Sequence, residues 1–239
     1  MDAKQRRTWA LEVGRARSSL VVHRIARILL RGIAFPWLRV VVEGEERLQL
    51  DGPLIVAPVH RSVLDPPLVG AVLRKRRLRA LGKSSLFDNR LVGWLCAALG
   101  AFPVERGVAD REALKASREV LDAGEPLLVF PEGTRQRGSE LHPLFEGAAW
   151  LSMRCGAPIV PVGIAGTEAA MPSGARFPRR AKVAIVVGEL IPASVHRPTG
   201  RLDRVELARL TDELAVSLSE VFERARVVAD DGTGPATAA

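Results

Sequence analysis

The sequence predicts an α/β fold: a single mixed, largely parallel sheet flanked by helices, with an N-terminal amphipathic helix ahead of it. Three observations carry this. Short apolar runs such as Leu54-Ile55-Val56-Ala57 and Leu127-Leu128-Val129-Phe130 read as strands buried on both faces. Patterns of helical period alternate with these runs, as a parallel sheet requires. Between residues 17 and 34, arginines and aliphatic side chains separate at helical spacing.

In that first helix Arg17, Arg24, Arg27 and Arg31 lie on one side, with Val22, Ile25, Ala26, Leu29 and Ile33 on the other. Phe35-Pro36-Trp37 is expected to break it. The pattern allows a helix lying among lipid head groups, or one packed on the protein with a solvated basic face. Residues 39–42 read as the first strand and 54–57 as the second. Pro66-Pro67 opens a helix reaching residue 73, since proline is tolerated in a first turn. Arg74-Lys75-Arg76-Arg77 then serves as a solvated helix end or as a patch for phosphates. A short strand follows at 78–81.

Residues 91–102 are nearly uncharged, too short to span a bilayer, and read as a buried helix feeding a strand. A helix over 110–123 stops at Gly124, and a central strand occupies 126–130. The next helix, 146–155, stops at Gly156. Residues 159–164 and 183–187 are further strands. In the last helix, within 201–228, Leu207, Leu210, Leu214, Leu218 and Val221 keep to one face. The expected domains are a basic helical segment, 1–38, an α/β domain, 39–228, and a disordered tail, 229–239.

A chain of 239 residues is long enough for one sizeable core. Its net charge of +8 calls for an anionic partner: nucleic acid, an acidic bilayer or a phosphorylated substrate. Nucleic acid is disfavoured, because the charges are not interleaved with aromatics and no recognition motif is present. Cys96 and Cys155 lack C-x-x-C spacing and read as buried free thiols, without a metal site. No stretch reads as a simple transmembrane span or a secretory signal. No P-loop or dinucleotide fingerprint occurs, so no bound cofactor is expected.

The chemistry-bearing residues follow the two apolar runs. His60 and Asp65, five positions apart, come after the first. Phe130-Pro131-Glu132-Gly133-Thr134-Arg135 closes the second. In open α/β sheets the crevice outside the strand ends takes the ligand, so both clusters can face one site. Two further blocks are Gly100-Ala101-Phe102-Pro103-Val104-Glu105-Arg106-Gly107 and Ile159-Val160-Pro161-Val162-Gly163-Ile164. In this order the four blocks resemble the glycerolipid acyltransferases, the 1-acylglycerol-3-phosphate acyltransferase family with its HxxxxD motif, over roughly residues 40–190.

The resemblance implies an O-acyltransferase of phospholipid biosynthesis. It would move a fatty acyl group from acyl-CoA or acyl carrier protein to lysophosphatidate, giving phosphatidate. His60 would be the general base, with Asp65 fixing the tautomer and stabilising the imidazolium. No G-x-S-x-G elbow exists, so the bound alcohol attacks directly. Lys83, Arg106 and Arg135 would surround the acceptor phosphate, Gly133 and Thr134 adding backbone donors. Glu132 would accept from an acceptor hydroxyl or hold an arginine in place.

Residues 91–102 would then wall an acyl-chain groove or serve as plain core. The lipid substrate favours the membrane reading of the first helix: a peripheral or monotopic protein on the anionic, cytoplasmic face. The alternatives are the same chemistry on glycerol 3-phosphate, another lysophospholipid or a glycolipid alcohol; a basic nucleic-acid-binding protein; or a membrane-bound relative without catalysis. Three residues depart from the family pattern: Val59 for asparagine, Ser85 for glutamate, and Glu146 for lysine. The last points to an acceptor whose head group is not a simple phosphate.

Overall fold

The computed structural model describes residues 2–104, 111–193 and 199–231. Its centre is a seven-stranded sheet in the order β1-β7-β6-β2-β5-β3-β4. The strands are β1 (Val41–Glu43), β2 (Leu54–Pro58), β3 (Arg79–Lys83), β4 (Ala101–Val104), β5 (Pro126–Leu128), β6 (Ile159–Ala165) and β7 (Ala184–Val187). Every neighbouring pair is parallel except β6 with β7. The sheet is therefore mixed and largely parallel, as the sequence predicts. Every residue of β2 and β6 is buried, which is why both read as unbroken apolar runs.

Alternate residues of each central strand feed two cores. On one face Ile55, Leu127 and Ile159 pack with Val120 and Leu121 of α6 (Arg111–Asp122), Leu151 of α7 (Gly147–Cys155) and Leu207, Leu210 and Leu214 of α9 (Arg204–Asp230). On the other, Leu54, Val56, Leu128 and Val160 meet Leu68, Val69 and Val72 of α4 (Asp65–Val72). α9 lies so close to β6 that a Cβ on Gly163 would sit 2.0 Å from the Val221 carbonyl oxygen. Gly156 stops α7 in the left-handed region, φ 64°. α9 continues to Asp230, with Ala229 buried, past the point where the sequence reading starts its tail.

The N-terminal helices differ from expectation. α1 (Ala3–Arg15) packs on α5 (Arg90–Ala98) and β4, adding Ala10 and Leu11 to the core. Its three arginines are bound to the protein: Arg6 pairs with Asp88 and Arg15 with Glu125, and buried Arg7 donates to Pro103 O at 3.2 Å. α2 (Arg17–Leu29) does not break at Phe35. It passes through a wide π-helical turn, Leu30–Ala34, into α3 (Phe35–Trp37). The Phe35 amide reaches back to the Leu30 carbonyl. That turn immediately precedes Pro36, whose ring would clash with the carbonyl four residues back in a regular helix.

The apolar side of α2 turns outward and its basic side is divided: Arg17 and Arg24 are exposed, while Arg27 and Arg31 turn inward. Arg27 donates to the carbonyls of Leu73, at 3.1 Å, and Arg74. Arg31 donates to Ala71 O at 3.2 Å and pairs with Glu45. These arginines satisfy the open carbonyls at the end of α4. Ser19 and His23 are buried, while Leu20, Val21, Ile25, Ile28, Ile33 and Trp37 point outward. α5 shows the same reversal: Leu91 is 75% exposed, and Val92, Trp94 and Leu95 are exposed beside it, so this is not a buried helix. No described helix is long and apolar enough to cross a membrane.

Candidate active site

β2 ends at Pro58, and the amide of buried Val59 still reaches Val162 O at 3.1 Å. The chain then leaves the sheet and folds around one carboxylate. Asp65, the first residue of α4, is fully buried. Its Oδ2 accepts the backbone N–H groups of Arg61 and Ser62, each at 2.7 Å, and lies 3.0 Å from His60 Nδ1. A carboxylate in that position accepts a hydrogen bond from Nδ1–H, keeps the proton on that nitrogen and leaves the lone pair on Nε2. Phe130 stacks on the imidazole, ring centroids 3.8 Å apart and planes 18° from parallel. The ring is thus fixed at its edge and its face.

Glu132 arrives from the neighbouring strand, β5, and is buried. Its Oε2 accepts the His60 amide at 3.1 Å, and its Oε1 the His142 amide at 3.2 Å. Arg61 Nη1 donates to both oxygens, at 3.0 and 2.8 Å. Of the two roles expected for Glu132, the structure places it in the second: it holds an arginine, and both oxygens are already engaged twice. That arginine is Arg61, which the sequence reading missed. Arg61 also donates to Gly138 O at 3.2 Å and Glu140 O at 2.8 Å, and lies over the Phe222 ring at 4.7 Å. A buried charge pair with this many partners stitches the loops after β2 and β5 together.

His60 opens onto a cavity of about 480 Å³. Phe130, Lys83 and Arg135 join it at the strand-end side, and Leu78, Ala71 and His23 lie at the far side. Leu78 to Lys83 follows β3, roughly 16 Å of strand. Most of the lining is apolar, from the inner faces of α2, α4 and α5. Lys83 and Arg135 are exposed and make no hydrogen bond or ion pair among the described residues. Gly133, φ 71°, carries the ring of Phe145 against it, and exposed Thr134 accepts from Gln136; neither lines the cavity. Arg106 lies outside the described residues.

The departures find places too. Ser85 is exposed on a short 3₁₀ turn. Glu146 is exposed at the N-terminus of α7, where the helix dipole favours a carboxylate, and does not line the cavity. Its charge therefore also has a local reason. The cysteines are half-buried, not fully buried. Burial raises the thiol pKa of Cys96, a cavity residue, and burial with Asp122 pushes Cys155 up to about 12. Neither offers a thiolate near neutral pH. Among the described residues no cluster of His, Cys, Asp or Glu could hold a metal.

Residues 39–165 match the family model described as Acyltransferase. The chain is 28% identical to the 1-acyl-sn-glycerol-3-phosphate acyltransferase of Bacillus subtilis, covering 76% of this chain and 87% of that one. It is 31% identical to the lyso-ornithine lipid O-acyltransferase of Pseudomonas aeruginosa, over 70% and 67%. It spans only 44% of the length of a plant chloroplast relative that it also matches. Among solved structures it resembles the 1-acyl-sn-glycerophosphate acyltransferase PlsC of Thermotoga maritima. That match has a TM-score of 0.68 and 28% identity, over 88% of this chain and 83% of that one.

Proposed function

Because the chain belongs to the acyltransferase family, we propose that it transfers a fatty acyl group from a thioester to the free hydroxyl of lysophosphatidate, giving phosphatidate. The observation that carries this reading is the His60–Asp65 pair at the head of an apolar cavity flanked by the free cations Lys83 and Arg135. The acceptor hydroxyl gives its proton to His60 Nε2 as its oxygen attacks the thioester carbonyl. Asp65 stabilises the imidazolium that forms. The tetrahedral intermediate collapses, the carbon–sulfur bond breaks, and the departing thiolate takes the proton back from His60. Lys83 and Arg135 hold the acceptor phosphate, and the apolar cavity takes acyl chain.

The protein works at a bilayer surface in this reading. The outward apolar residues of α2, α3 and α5 surround the helices that wall the cavity. Contiguous exposed apolar surface of this kind marks an interaction face. It seats the protein in one leaflet of the anionic cytoplasmic face, so that a lysolipid reaches His60 without leaving the membrane. The likeness to the Pseudomonas enzyme supports a second acceptor, a lysolipid of the lyso-ornithine kind. The two free cations favour the phosphate.

Purified protein, labelled acyl-CoA and mixed micelles test the reading, with lysophosphatidate and monoacylglycerol run in parallel. Transfer to lysophosphatidate alone is expected, falling roughly a hundredfold to ten-thousandfold in His60→Ala. Equal transfer to monoacylglycerol, or an unimpaired variant, overturns it.

A further inference from the structure

On the same edge of the sheet as His60, across Arg61 from the apolar cavity, lies a second pocket of about 710 Å³. It sits between the end of β6, the residues entering β7 and the last turns of α9. Register places it close to the catalytic loop. β6 pairs directly with β2, Pro58 opposite Val162, so Ile164 lies about one strand spacing, ~5 Å, from the His60 segment. Arg61, next in sequence to the cavity residue His60, lines the second pocket. Gly138, whose carbonyl Arg61 holds, lines the second pocket together with Ser139.

The chemistry of this pocket differs from that of the first. Arg39, Arg180, Lys182 and Arg226 line it against Glu168 and Asp230; Arg226 is paired with Glu223 at 2.6 Å, which leaves Arg39, Arg180 and Lys182 facing the two carboxylates. Arg39 and Arg180 make no ion pair among the described residues, and Lys182 contacts only a backbone carbonyl, Asp231 O at 3.1 Å. Arg39 is also the one described residue other than glycine with a positive φ, 44°. The hydrogen bonds of Val40 to Phe35 O and of Val183 to Leu38 O pin it there. A residue with a Cβ resists that conformation, so the fold holds a free guanidinium at the pocket against local preference.

We propose that this pocket binds the phosphates of the acyl donor's carrier, a nucleotide-bearing thioester of the coenzyme A kind. The inference rests on the acyl-transfer reading and supplies the donor site that reading leaves open. The apolar cavity with two cations suits a lysolipid carrying one phosphate. The second pocket, with Arg39, Arg180 and Lys182 in no ion pair among the described residues, suits a group carrying several phosphates. Its size is that of a small-molecule site, whereas an acidic carrier protein would meet a broad face. Arg61 ties its wall to Glu132 and His60, which brings a thioester arm anchored here to the general base. A lipid phosphate is the competing source, because Trp37, exposed on the apolar face, lies two residues from Arg39.

The test compares wild type with Arg39→Gly/Arg180→Ala. Glycine accepts the positive φ, so the first change relieves strain and preserves the fold. Titration calorimetry with coenzyme A and with 3′,5′-ADP reads binding without turnover. The donor KM, the lysophosphatidate KM and cosedimentation with anionic vesicles are read beside it. Expected is wild-type binding of both nucleotides, weakened roughly tenfold or more in the variant, with a matching rise in donor KM. The lysophosphatidate KM and vesicle binding stay unchanged. Absence of nucleotide binding by wild type, or equal binding by the variant, overturns the proposal, as does loss of vesicle binding with nucleotide binding intact. Nucleotide binding that the variant loses, in a protein that does not acylate lysophosphatidate, sinks the acceptor assignment and upholds this one.

Discussion

Arg61 and Glu132, on the loops that follow two adjacent strands, meet at 2.8 Å, and the same Glu132 oxygen accepts the amide of His60 at 3.1 Å. The pair therefore positions the segment bearing His60, the proposed general base, without itself lining the cavity. Replacing Arg61 with methionine leaves Glu132 buried and unpaired, and a loss of about 3–5 kcal/mol is expected in chemical denaturation. Arg61→Met/Glu132→Leu is expected to recover part of it. A loss below about 1 kcal/mol in the single variant means the pair is not a structural brace.

Lys83 and Arg135 are exposed, so their replacement by alanine costs the fold little. Each change is expected to raise the KM for lysophosphatidate roughly tenfold and to leave the donor KM alone. Rising salt narrows the difference from wild type, because contacts this open are screened. Steady-state kinetics at low and high ionic strength decide the matter; a KM independent of both residues removes them from the acceptor site.

Ile28, Ile33 and Leu91 face outward, at least 63% exposed, and a glutamate at any of them buries little on folding. Thermal unfolding is expected to shift little. Partition onto anionic vesicles is expected to fall roughly tenfold or more per substitution, the scale set by one large apolar side chain leaving lipid. Vesicle flotation reads this directly. Undiminished binding in all three variants assigns the face to another partner.

His23 supplies a pH dependence. Burial, then Arg27 and Arg77, hold its imidazole below the ordinary value of 6.5. As pH falls through 6.5 the unfolded chain takes the proton and the folded chain resists it. The folded state thus binds fewer protons, and stability declines as pH drops below about 6.5, levelling once the lowered folded value is passed. Denaturation midpoints between pH 7.5 and 5 follow this slope, which is expected to flatten in His23→Gln. An unchanged slope places the dependence elsewhere.

The sheet and the His60–Asp65 pair were legible because both are local signals. β2 and β6 are buried along their whole length, and the histidine and aspartate share one short loop. What periodicity cannot supply is direction. The spacing in α2 groups Arg17, Arg24, Arg27 and Arg31 on one side, yet Arg17 and Arg24 are exposed while Arg27 and Arg31 turn inward to the open carbonyls at the end of α4. The run in α5 is as apolar as a core helix because its outer face stays apolar too. Arg61 was missed for a different reason. Its partner lies 71 positions away, and opposite charges that far apart carry no mark of pairing until strands β2 and β5 bring them together.

The strand order also governs when the molecule can finish folding. β1 is made early, but among the described residues its one ladder partner is β7, about 140 residues later. At the usual 5–20 residues per second, β1 waits roughly 7–30 s on the ribosome before it can pair. Through that interval the apolar side of α2 is already outside the exit tunnel, and β6 and β7, which complete this half of the sheet, have yet to be translated. A bilayer or a chaperone present in that window meets the helix before the sheet does.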